Sequence, residues 1–155
     1  MQRILIFGNS GSGKTSLSRR LRAENSLTNL DLDTIAWDKP GVRKDVDESL
    51  QLLQDFIDKS PNWIIEGCYG SLIQYATKYC TELIFLNPGI EKCLENNLKR
   101  PFEPHKFSSL EEQNEKLKFL QEWVQNYENR DDEYSLKGHR EIFESFQGSK
   151  KEIHS

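Results

Sequence analysis

The chain has 155 residues, of which 35% are hydrophobic, 10% aromatic and 30% charged, with a net charge of -4. That length and that share of bulky apolar residues suit one domain spanning 1–155 with its own core, and the acidic balance excludes a general nucleic-acid binder, which needs a basic face to displace counterions. No apolar run approaches membrane-spanning length and the chain opens on a strand rather than a leader, so the expectation is a cytoplasmic protein with no membrane or nucleic-acid partner, a monomer or homodimer.

The first predicted element is a strand, RILIF (3–7), and it runs straight into FGNSGSGKTSL (7–17). Gly8, four further residues and then Gly13-Lys14-Thr15 fill every fixed position of the phosphate-binding template G-x-x-x-x-G-K-[ST]. Glycines lack Cβ and accept positive φ, so consecutive backbone N–H groups can turn inward around a phosphate chain. A helix starting near Gly13 aims its positive end at the same anion. Lys14 supplies a mobile charge for the outer phosphates, and the Thr15 hydroxyl can ligate Mg²⁺. Leu17 and Leu21 stand four apart among Ser18, Arg19, Arg20 and Arg22, which predicts that helix. A strand before and a helix after distinguish the motif from a Gly/Ser linker. The expected nucleotide-binding residues are therefore Gly8, Asn9, Ser10, Gly11, Ser12, Gly13, Lys14, Thr15 and Ser16.

NLDLD (29–33) ends a short second strand, and on a strand Asp31 and Asp33, two apart, share one face. Val46, Leu50, Leu53 and Ile57 keep helical spacing, and Pro61 ends that helix before a third strand, WIIEG (63–67). Residues 71–79 read as a short helix, ELIFLN (82–87) as a fourth strand, and Pro88 opens a helix reaching about Arg100. Strands alternating with helices imply a parallel sheet wrapped on both faces, with the phosphate loop at its carboxyl edge.

Beyond Arg100 the pattern changes. PFEPHKF (101–107) has two prolines and no period, so it is a loop, and Ser108 with Glu111 reads as a capping box opening a helix to about Tyr127. NRDD (129–132) interrupts, a further helix carries Ile142, Phe143 and Phe146 to a stop at Gly148, and KKEIHS (150–155) is left for a short final strand. Cys68, Cys80 and Cys93 are odd in number and follow no ligand spacing, and His105, His139 and His154 are scattered, so reduced thiols and no protein-built metal site are expected.

These segments in this order resemble the nucleoside and nucleotide kinase branch of the P-loop NTPases, with adenylate, shikimate and gluconate kinases, and most of all the small bacterial kinase-like ATPases called topology modulation proteins. The resemblance covers RILIFGNSGSGKTSL, LDLDTIAWDKPG, WIIEGCY, ELIFLN and the arginine after the fourth strand. It implies a three-layer α/β/α fold with five parallel strands in the order 2-3-1-4-5, an acceptor-covering segment at about 34–62 and a helical lid region at about 100–130. The implied activity is transfer of the terminal phosphoryl group of ATP, with Mg²⁺, to a hydroxyl or phosphate acceptor on a small molecule. The alternative is a nucleotide-dependent regulatory module that needs no acceptor.

Phosphorylating a hydroxyl needs a carboxylate to orient it and receive its proton, which makes Asp33 the candidate base. Asp31 holds water on Mg²⁺ or serves as that base in its stead. Trp37 and Arg43 fall in the acceptor-covering segment, where an aromatic face and a guanidinium suit a flat or anionic acceptor, although packing is the other role open to Trp37. Glu66 falls where the resemblance implies a second acid of the magnesium site, and Asp31, Asp33 and Glu66 also count as acceptor-site residues. Adenylate kinases place proline and a substrate-gripping arginine after the following glycine, whereas Cys68 and Tyr69 stand here, which tells against a nucleoside monophosphate acceptor; Tyr69 is counted among the acceptor-site residues. Arg100, Arg130 and Arg140 are the candidate lid arginines, Arg100 and Arg140 for the transferring phosphoryl group and Arg130 for the nucleotide.

Overall fold

Ile4, Leu5, Ile6 and Phe7 are each 2% exposed or less, the mark of a central strand in a parallel sheet covered on two faces. The computed structural model describes residues 1–155 apart from Pro40 and His105, so Pro40 of the quoted acceptor segment and His105 among the scattered histidines lie outside the described residues. The elements run β1 (Arg3–Gly8), α1 (Lys14–Glu24), β2 (Thr28–Asp31), α2 (Asp33–Ala36), β3 (Trp37–Lys39), β4 (Val42–Arg43), α3 (Val46–Lys59), β5 (Trp63–Gly67) and α4 (Gly70–Ala76). There follow β6 (Glu82–Leu86), α5 (Ile90–Leu98), α6 (Leu110–Gln125), α7 (Leu136–Ser145) and β7 (Ser149–Ile153).

Five strands form one sheet in the order β2-β5-β1-β6-β7, all neighbours parallel. This is the predicted 2-3-1-4-5 order with the sheet strands counted among themselves, because β3 and β4 make a separate two-stranded antiparallel pair. Alternation along β1 divides the core. Leu5 and Phe7 join Trp63, Ile65 and Phe85 on one face, under α2, α3, α4 and α7, and the paired Phe7 and Phe85 rings stack at 4.8 Å. Ile4 and Ile6 join Ile64, Ile84 and Leu17 of α1 on the other.

The final strand forms as β7. It is an edge strand with exposed Lys150 and Lys151, so its sequence shows charge rather than apolar alternation.

Three local expectations are corrected. β2 ends at Asp31 and Asp33 begins α2, so the two aspartates do not share a strand face; the Asp33 N–H donates to Asp31 Oδ1 at 2.9 Å and turns the chain there. The helix cap lies one residue later than predicted, with Ser109 Oγ accepting from Glu112 N–H and Glu112 Oε2 accepting from Ser108 N–H, both at 3.1 Å. α7 ends at Ser145, where Phe146 turns extended, before Gly148 is reached.

Candidate active site

The carboxyl ends of β1, β2 and β5 open into a cavity of about 780 Å³. Gly13, with φ of 99°, ends the phosphate loop and hands over to α1 at Lys14. Gly8 is fixed by proximity instead: a Cβ there would stand 2.4 Å from the Leu86 carbonyl of β6. The loop is braced from α5, whose Asn96 donates to the Gly11 carbonyl at 2.8 Å and whose Asn97 donates to the Ser10 carbonyl at 3.3 Å. Lys14 curls over it, its Nζ donating to the Asn9 carbonyl at 2.8 Å. Ser10, Gly11, Gly13, Lys14, Thr15 and Ser16 line the cavity, whereas Gly8, Asn9 and Ser12 are buried in the wall behind it.

Asp31 and Glu66 are register partners across β2 and β5, which puts two carboxylates side by side at the strand ends. The Thr15 hydroxyl donates to Glu66 Oε1 at 2.8 Å, and Glu66 Oε2 is buried with no hydrogen-bond partner among the described residues. Burial first and the Asp31 charge second push the Glu66 carboxyl up to about 7, while Lys14 and the Thr15 bond act in the opposite sense. A buried acid oxygen without a partner beside an oriented hydroxyl and a second carboxylate is an oxygen-only donor set of the kind a hard divalent cation takes, much of it through water. Magnesium therefore fits these residues. Among the described residues no cluster of three or more His, Cys, Asp or Glu is arranged to hold a metal by itself.

Opposite the loop stands an aromatic wall. Trp37 Nε1 donates to the Tyr69 hydroxyl at 3.0 Å, and that hydroxyl donates to Asp33 Oδ1 in a short contact. Burial, followed by the Asp33 charge, drives the Tyr69 phenol well above its usual range, so it remains a donor. The Arg43 guanidinium lies 4.6 Å from the Tyr69 ring centroid and 5.6 Å from that of Trp37. It donates to the Ala36 carbonyl at 3.0 Å and to the Tyr134 hydroxyl at 2.8 Å. Trp37 is thus both packed and cavity-lining. Tyr134 and Trp123 complete the wall.

Arg100 lies at the cavity rim, with Nη2 donating to Ser10 Oγ at 3.2 Å and Nη1 to Glu103 at 3.0 Å. Arg130 and Arg140 depart from the lid expectation. Arg130 stacks 4.3 Å from the Trp123 ring centroid and pairs with Asp132 at 3.0 Å, behind the wall rather than on the cavity. Arg140 pairs with Glu152 of β7, Nη2 to Oε2 at 2.9 Å, because α7 turns it toward the sheet edge. It lies outside the cavity lining.

Three residues that sequence reasoning passed over shape the site. Lys106 sends Nζ to Asp33 Oδ2 at 2.9 Å and to Glu103 Oε2 at 3.1 Å. Tyr134 anchors Arg43, as described. His139 is fully buried on α7 and bonds the Cys68 carbonyl through Nε2 at 2.9 Å and the Tyr127 hydroxyl through Nδ1 at 2.7 Å. A carbonyl only accepts, so Nε2 carries the proton and Nδ1 accepts from Tyr127; burial brings the imidazole down to about 4. Apart from the two prolines flanking the lid segment, no local pattern in the sequence marks any of these.

Neither a protein-family model nor a curated protein matches the chain by sequence. Solved structures do match. An unliganded sugar kinase from a Janibacter species superposes with a TM-score of 0.55 at 11% identity, over 99% of this chain and 84% of that one. Shikimate kinase from Acinetobacter baumannii, in complex with shikimate, gives 0.55 at 16% identity over 100% and 84%. Shikimate kinase from Aquifex aeolicus gives 0.54 at 16% identity over 97% and 85%. The fold is that of the P-loop kinases. Among the described residues no helix is long and apolar enough to cross a membrane.

Proposed function

We propose that the protein is an ATP-dependent small-molecule kinase. The observation that carries this proposal is the convergence, in one cavity, of a filled phosphate-loop motif and a carboxylate, Asp33, held by its own donors on the opposite side. A pure nucleotide-binding module has no use for that second half.

The loop N–H groups, Lys14 and the start of α1 would bind the phosphates. Thr15 would hold Mg²⁺ directly, with Glu66 and Asp31 acting through water, and the ion would neutralise charge on the outer phosphates. Asp33 orients the acceptor hydroxyl: as the acceptor oxygen bonds to the γ-phosphorus, its proton passes to Asp33 and the bond from γ-phosphorus to the bridging oxygen breaks, leaving ADP. Arg100 covers the peripheral oxygens. Trp37, Arg43, Tyr69 and Tyr134 would grip an acceptor with a planar or ring-shaped body. The fold neighbours act on sugars and shikimate, which is consistent with a hydroxyl acceptor. Because Arg140 and Arg130 lie outside the cavity lining, Arg140 is not kept as a catalytic group nor Arg130 as a nucleotide-binding one.

One observation favours a second reading, the nucleotide-regulated module of the topology modulation type. Both oxygens of Asp33 are engaged, Oδ1 by Tyr69 and Oδ2 by Lys106, so the acid is in use before any acceptor arrives. Measuring ADP production from MgATP in the presence of nucleosides, nucleotides, sugars and hydroxy acids separates the two. Acceleration above the rate in water by any of them is the result expected of a kinase, and a uniform water rate across the whole set supports the module.

A further inference from the structure

Among the described residues of the 100–107 segment, two cations share one carboxylate. Glu103 accepts from Arg100 Nη1 at 3.0 Å through Oε1 and from Lys106 Nζ at 3.1 Å through Oε2. Arg100 then reaches Ser10 Oγ of the phosphate loop at 3.2 Å, and Lys106 reaches Asp33 Oδ2 at 2.9 Å. A line of contacts therefore crosses the mouth of the cavity from the donor loop to the acceptor acid. The side chains of Lys106, Asp33 and Glu103 are only 17%, 20% and 16% exposed, so solvent screens them weakly. Burial opposes the Lys106 charge, but the Asp33 and Glu103 carboxylates outweigh it and hold the ammonium more firmly protonated.

A carboxylate oxygen can accept two hydrogen bonds, but an acceptor hydroxyl reaching Asp33 meets the Tyr69 hydroxyl on Oδ1 and the Lys106 ammonium on Oδ2, and it seats most closely where one of them withdraws. Tyr69 is tied to Trp37, stands two residues beyond β5 and is buried in the core. Lys106 stands on a loop between elements, on a four-carbon stem with many rotamers. Of these two, it is the donor that can leave.

We propose that Lys106 is a latch on the acceptor acid: it occupies on Asp33 Oδ2 the place an acceptor hydroxyl takes, ties the 100–107 segment down until an acceptor arrives, and once displaced carries its charge to the transferring phosphoryl group. Displacement by an acceptor and delivery of the charge rest on the kinase function proposed above, whereas the tie from Lys106 to Asp33 does not. The device lets the acceptor, rather than water, release a cation for the reaction, since a water molecule offers Asp33 no surrounding contacts with the aromatic wall to offset the lost ion pair.

The latch is tested on the unliganded full chain by amide hydrogen exchange across residues 101–107. Lys106→Gln and Asp33→Asn are each expected to speed exchange there about tenfold, the double variant no further, and Lys106→Arg to restore most of the protection. Unchanged exchange in Lys106→Gln, or single effects that multiply in the double variant, overturns the latch. The released charge is tested with whichever compound of the acceptor set accelerates ADP production. There Lys106→Gln is expected to lower kcat about tenfold or more while the acceptor KM stays level or falls, because a competitor for Asp33 has been removed. A raised KM with kcat intact overturns that step. If no compound accelerates ADP production, the kinase proposal fails, and displacement by an acceptor and charge delivery fall with it, while the exchange data still decide whether Lys106 ties the segment to Asp33.

Discussion

The two halves of the cavity are built in different ways. The donor half is one continuous run of chain, shaped by backbone and braced by Asn96 and Asn97 of α5. The acceptor half is assembled from side chains of α2, β3, β4, the turn after β5, the 100–107 segment and the loop before α7. A backbone-built site tolerates side-chain change except at its glycines and its lysine. A side-chain-built site draws its specificity from every contributor, so it can be retuned one residue at a time. Under the proposed function, phosphate chemistry belongs to the first half and the choice of acceptor to the second.

The comparison breaks first at Lys14. Lys14→Ala should lower nucleotide turnover by about 10²–10³-fold, since it removes a charged donor aimed at the reacting phosphates; turnover within threefold of the parent in a steady-state ADP assay would take the loop out of the chemistry. Asp33→Asn should cut acceptor-dependent transfer by about a hundredfold and leave nucleotide affinity, measured by calorimetry, nearly unchanged. Equal losses in both would move Asp33 to the donor half and make Asp31 the better base.

Two buried groups give the metal-free protein opposing pH dependences. Glu66 is raised to about 7, so between about 4.5 and 7 the folded state binds more protons than the unfolded state, and stability falls as pH rises. His139 is lowered to about 4, so between about 6.5 and 4 the unfolded state binds more protons, and stability falls as pH drops. Each contribution amounts to about 3 kcal/mol across its window, because one pKa unit is about 1.4 kcal/mol. They largely offset one another from pH 4.5 to 6.5. Denaturant melts of Glu66→Gln should therefore uncover loss of stability toward low pH, and melts of His139→Gln the reverse slope. Identical profiles for the two variants would contradict both assignments.

The smallest effect is expected at Arg140, whose partner is Glu152 rather than anything in the cavity. Arg140→Ala should leave turnover within about threefold and cost about 1 kcal/mol or less, as a partly exposed ion pair does. A hundredfold loss of turnover with stability unchanged would return Arg140 to the lid.

The same division governs how much was legible in the sequence. The phosphate loop could be read from its spacing because its function depends on consecutive residues. Glu66 was readable because an acid ending a buried strand is costly without a purpose. The parallel sheet followed from the alternation of strands and helices, and its strand order from the family resemblance. Lys106 and Tyr134 were not legible, since each acts across a long sequence separation and looks locally like a solvated lysine or a helix-flanking aromatic. Arg140 matched a family spacing, yet the turn of α7 gave it an acid on β7 instead. Asp33 was placed on a strand by its spacing from Asp31, but the Asp31 side chain caps the Asp33 N–H and bends the chain into α2.

The central claim, that a phosphoryl group passes from the donor half to a molecule held by the acceptor half, is tested most directly by following the γ-phosphoryl group of labelled ATP. With Mg²⁺ and the acceptor set, the label should appear covalently on at least one added compound, and its appearance there should vanish in Lys14→Ala. Label recovered solely as inorganic phosphate, at one rate whatever compound is added, would contradict the account.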